Sequence, residues 1–79
     1  MTLQQLRYVT TVAETGTMSE AARRLFVSQP GLTKAIRELE QEMGIIIFDR
    51  TNKGIEVSKD GAIFLGYARQ MLEQYRLME

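Results

Sequence analysis

Seventy-nine residues allow one domain at most, and so short a chain must lean on tight helix packing or on a partner for part of its stability. A hydrophobic share of 44% with 25% charged residues is that of a globular chain, and the lack of cysteine and histidine excludes disulfides, thiolate chemistry, the usual zinc ligands and the commonest general base. Ten basic side chains cancel ten acidic ones, so the basic excess usual in nucleic-acid binders is absent from the total.

The first segment, LQQLRYVTTVAET, carries Leu3, Leu6, Val9, Val12 and Ala13 at helical spacing. Thr2 with Gln5 has the form of a capping box, and Gly16 is a C-terminal stop, so a helix is expected over residues 3–15. Thr17 with Glu20 repeats the capping signature before a short helix whose apolar face is Ala21, Ala22 and Leu25.

Next comes VSQPGLTKAI, where a proline and a glycine interrupt a helical pattern. Ser28 as N-cap resolves the conflict, because Gln29, Pro30 and Gly31 then form a first turn whose N–H groups need no partner inside the helix. Leu32, Ala35, Ile36 and Leu39 form the expected buried face, with Gly44 as the stop. Gly31 weakens the helix start, and its expected use is to let something lie close against that turn.

The period then changes. Ile45 to Phe48 reads as one strand and the alternation of Ile55 and Val57 as a second, with RTNKG as a polar turn in which Asn52 and Gly54 suit positive φ. Finally, Ser58 caps a long helix with Phe64, Ala68, Met71, Tyr75 and Met78 on one stripe, widened by Leu65 and Leu72. That stripe exceeds what a small core can cover. The chain is expected to be cut at Glu79. No stretch approaches the roughly 18 apolar residues of a membrane span and no basic-then-apolar leader opens the chain, so a cytoplasmic protein is expected.

A short helix, a tight connection and a helix opening with polar groups make a helix-turn-helix. On the third helix Gln29, Thr33, Lys34 and Arg37 share an outward face, an amide, a hydroxyl and two cations suited to base edges and phosphates. Charge is segregated: residues 21–37 hold Arg23, Arg24, Lys34 and Arg37 and no acid, and Glu38, Glu40 and Glu42 follow. A helical interaction module pairing through residues 64–78 and touching no nucleic acid is the rival reading, and the zero net charge is its support.

The stretches AARRLFVSQPGLTKAIRELEQEMG and FDRTNKG resemble the winged helix-turn-helix domain of LysR-type transcriptional regulators, and the likeness extends over nearly the whole chain. The resemblance implies a mainly α fold of three helices and a two-stranded wing over residues 1–58, followed by a linker and dimerisation helix over 59–79, whose Phe64, Leu65, Ala68, Met71, Leu72 and Tyr75 are expected to pair with a second copy. It implies sequence-specific binding of double-stranded operator DNA by a homodimer or higher oligomer, with no enzymatic activity, cofactor, metal or membrane. Gln29, Pro30, Thr33 and Lys34 would meet bases or nearby phosphates, Arg37 the backbone, and Ser28 a phosphate besides its capping role. Arg50 and Lys53 would reach phosphate or the minor groove from the wing. A small-molecule effector is implied only for a larger domain outside this chain. Gly31, Lys34 and Lys53 depart from the residues usual in the family, as do Val9 and Met18, and the first three bear on base preference.

Overall fold

The computed structural model describes every residue from Met1 to Glu79. Helix α1 (Leu3–Thr15) opens on a complete capping box, Thr2 Oγ1 accepting from the Gln5 N–H and the Gln5 side chain from the Thr2 N–H, both at 3.0 Å. It stops at Gly16, whose φ of 82° turns the chain. Helix α2 (Met18–Leu25) is capped by Thr17 alone, since the Glu20 carboxylate turns to Arg23 at 2.8 Å instead of completing the box. Helix α3 (Gln29–Met43) starts as its sequence dictates: Ser28 Oγ accepts from the Gly31 N–H at 3.1 Å, Pro30 stands in the first turn, and Gly44 closes the helix at φ 71°.

Strands β1 (Phe48–Thr51) and β2 (Gly54–Val57) pair antiparallel, Thr51 opposite Gly54 and Phe48 opposite Val57, around the two-residue turn Asn52–Lys53. Helix α4 (Lys59–Met78) is capped by Ser58 and runs to the end of the chain. The core gathers Val9 and Val12 from α1, Ala21 and Ala22 from α2, Leu32, Ile36 and Leu39 from α3, and Leu65 from α4, closed by Ile47 and Phe48. Helix α1 is the hub, touching the other three.

Several details differ from the sequence reading. Ile45–Ile47 is not strand. The Ile47 N–H donates to the Glu40 carboxylate at 2.7 Å and its carbonyl accepts from the Ser58 N–H at 2.9 Å, which leaves no ladder bond to make. The strand starts at Phe48, so Arg50 and Thr51 sit on β1 and not in the turn. Asn52 is not at positive φ; Gly54, at 123°, carries that conformation alone in the hairpin. Ala35 is half-buried, its carbonyl accepting from Gln5 Nε2 at 3.3 Å. No protein element approaches Gly31: a Cβ there would meet its own cap, Ser28 Oγ, at 2.9 Å and nothing else.

The largest correction concerns α4. Leu65 is 2% exposed and Ala68 1%, both packed within their own subunit, and Phe64 and Leu72 are half-buried. Leu65 and Ala68 cannot present a free face to a partner, because they are buried within the subunit where α4 packs on α1. Of the six residues expected to pair, Met71 and Tyr75 remain exposed.

Candidate nucleic-acid interface

The reading surface begins at the cap of α3. With Ser28 fixing the first turn, Gln29, Pro30 and Lys34 are exposed, Thr33 is half-buried at the margin, and Arg37 follows one turn on. Gln29, Pro30, Thr33, Lys34 and Arg37 line one open groove with Glu38 and Gln41. The opposite side of the same helix carries Leu32, Ile36 and Leu39 into the core, so burial of one stripe is what presents the other. An α-helix about 10–12 Å across fits a major groove about 12 Å wide.

The wing closes on this surface from one side. A crevice is lined by Thr17, Met18 and Ser19 from the start of α2, by Gln29 from the start of α3, and by Arg50, Thr51, Gly54 and Ile55 from the hairpin. Gln29 thus faces both the open groove and the crevice. A smaller recess beneath the wing brings Arg37 and Arg50 to one place with Thr33 and Glu40. Lys53 lies apart from these, exposed in the turn at the hairpin tip. Thr17, Ser19 and Thr51 line this crevice although the sequence reading gave none of them a place beside α3. A capping threonine followed two residues later by serine at a helix start was the available sign, since such a turn presents N–H groups to an anion.

Ion pairs engage some of the cations and leave others free. Arg23, Arg24 and Arg76 are held by Glu20, Glu14 and Glu73 at 2.8, 3.5 and 2.7 Å. Arg37, Arg50 and Lys53 have no carboxylate within ion-pair distance, and Lys34 has only Glu38 at 4.0 Å. Neither Asp49 nor Glu56 engages Arg50. Arg76 hydrogen bonds hold the Glu73 carboxyl below its ordinary range, an exposed brace far from the reading surface. Arg37, Arg50 and Lys53 therefore stand unpaired beside α3, as Arg7, Lys59 and Arg69 do elsewhere, so the zero net charge does not deprive this surface of free cations.

A family profile described as bacterial regulatory helix-turn-helix protein, lysR family, matches residues 3–62. The chain belongs to the LysR family. Two relatives in that family illustrate the likeness. The regulator ClcR of Pseudomonas putida is 47% identical over 72 residues, covering 91% of this chain and 24% of that protein. TfdS of Cupriavidus pinatubonensis is 47% identical over 73 residues, covering 92% of this chain and 25% of that protein. The chain thus spans about a quarter of the length of these LysR relatives. Solved LysR structures superpose on nearly all of it. The CbnR DNA-binding domain in complex with DNA matches at TM-score 0.94 and 41% identity, over 99% of this chain and 90% of that one. The BenM DNA-binding domain bound to a benA site matches at 0.94 and 33%, over 99% and 88%. The winged helix fold and its place in the DNA-binding domain of LysR regulators are accordingly settled, and the family is one of regulators, not enzymes.

Proposed function

We propose that this chain is the module through which a LysR-type regulator binds one half-site of its operator, α3 entering the major groove and the wing lying on the flanking backbone. Gln29 and Thr33 read base edges, Pro30 offers an apolar surface to a thymine methyl, and Lys34 and Arg37 meet phosphates. Arg50 and Lys53 meet the backbone beside the wing, and the Ser28 hydroxyl, whose oxygen accepts the cap bond, donates to a phosphate. Thr17, Ser19 and Thr51 join the backbone contacts in the crevice next to Gln29. The carrying observation is that the exposed first turns of α3 and the unpartnered Arg37 and Arg50 converge on one surface.

Replacing Gln29 by alanine tests the reading of bases. Affinity for a duplex selected from a random pool should fall while affinity for random duplex stays level; equal loss on both would remove Gln29 from sequence recognition.

Residues 1–58 form the reading unit in this account, and 59–79 the element that joins two of them. The pairing face of α4 is carried by Ile63 and Tyr67, 58% and 65% exposed, with Met71 and Tyr75. A homodimer so joined places two α3 helices on half-sites separated by about one helical turn or a multiple of it. A small-molecule effector belongs to the larger part of the full regulator, and the site of action is the cytoplasm, where a bacterial chromosome lies. No helix of the chain is long and apolar enough to cross a membrane.

A further inference from the structure

Glu40 is the one acidic side chain of α3 that turns inward towards the wing. Its Oε2 accepts from the Ile47 N–H at 2.7 Å and from the Phe48 N–H at 3.3 Å, while its backbone carbonyl accepts from Gly44 at 2.8 Å and Ile45 at 3.1 Å. It makes no ion pair. The Ile47 N–H has no other acceptor. Glu40 thus bonds both the end of the reading helix and, beside Ser58, the root of the wing.

Glu40 is 11 residues beyond Gln29 on α3, which puts it about 16 Å from the reading turn. Strand β1 covers much of that distance in return: Phe48 lines the recess with Glu40, and Thr51 lines the crevice with Gln29. The wing is therefore a lever held at its root by Glu40, together with the Ser58 N–H and the burial of Ile47 and Phe48, with Arg50 and Lys53 on its free arm. A carboxylate is suited to that anchor, since a hydrogen bond to a charged acceptor is roughly twice as strong as one between neutral groups.

We propose that Glu40 is a positioning residue for DNA binding, setting where Arg50 and Lys53 meet the backbone relative to α3. The inference rests on the proposed role of the wing. Glu40→Ala should weaken binding to a duplex selected from a random pool by about tenfold, the weight of one charge-assisted contact. Glu40→Gln, which keeps an acceptor oxygen, should recover most of that loss. The loss should largely vanish in an Arg50→Ala/Lys53→Ala background and persist in full in a Gln29→Ala background.

Additive effects of Glu40→Ala and the Arg50→Ala/Lys53→Ala pair would overturn the proposal, as would unchanged binding by Glu40→Ala. If the Arg50→Ala/Lys53→Ala protein binds as the unmodified chain does, the wing leaves the interface and the broader reading of it falls as well. Amide exchange in the unmodified protein covers the case in which Glu40→Ala fails to fold. The Ile47 amide should be protected, and free exchange there would show that Glu40 does not hold the wing.

Discussion

Phe26 joins α2 to α3 at φ 58° and ψ 41°, the left-handed region, and the residue is 95% exposed. Such a conformation costs a non-glycine residue about 1–2 kcal/mol. Two bonds hold it there: the Phe26 N–H donates to the Arg23 carbonyl at 3.3 Å and the Val27 N–H to Ala22 at 3.1 Å, as Val27 packs against the core. Phe26→Asn should raise stability by about 0.5–1 kcal/mol, since asparagine tolerates this region; a lower urea midpoint would mean that the exposed ring makes a stabilising contact. The Pro30–Gly31 puzzle was legible because a cap and its first turn are local in sequence. The strain at Phe26 was not, because no glycine or asparagine marks it and its cause is the burial of the next residue.

Helix α4 meets the core along a line that depends on one small residue. A Cβ on Gly61 would stand 2.2 Å from the Ile47 carbonyl oxygen, backbone that cannot yield without moving the wing root. Gly61→Ala should therefore destabilise the fold by about 1–3 kcal/mol, despite alanine's higher helix propensity, as measured by the denaturation midpoint. No change would mean that the link adjusts freely. The two sides of α4 should respond differently to charge. Tyr67→Glu should leave the subunit folded and halve the sedimenting mass, whereas Leu65→Glu should unfold it, because an unpaired carboxylate would enter the core. Intact mass in Tyr67→Glu would reject the pairing face. Periodicity made α4 visible as one apolar stripe, yet it could not apportion that stripe between the subunit's own core and a partner. The same blindness shifted the first strand: Ile45–Ile47 looks β-forming, but its partners Glu40 and Ser58 lie on two different elements.

For the whole molecule, zero net charge is compatible with DNA binding because Arg37, Arg50 and Lys53 stand at the reading surface and the wing with no ion-pair partner. If Lys34, Arg37, Arg50 and Lys53 each neutralise a phosphate, log affinity should fall with log salt at a slope between about −3 and −4 per subunit. A slope near zero would favour a helical interaction module instead. The most direct measurement is a backbone-amide NMR titration of the protein with a duplex selected from a random pool. The amides of residues 28–37 and 50–53 should shift together, saturating at one subunit per half-site. Signals confined to α4, with residues 28–37 unmoved at saturation, would contradict the account.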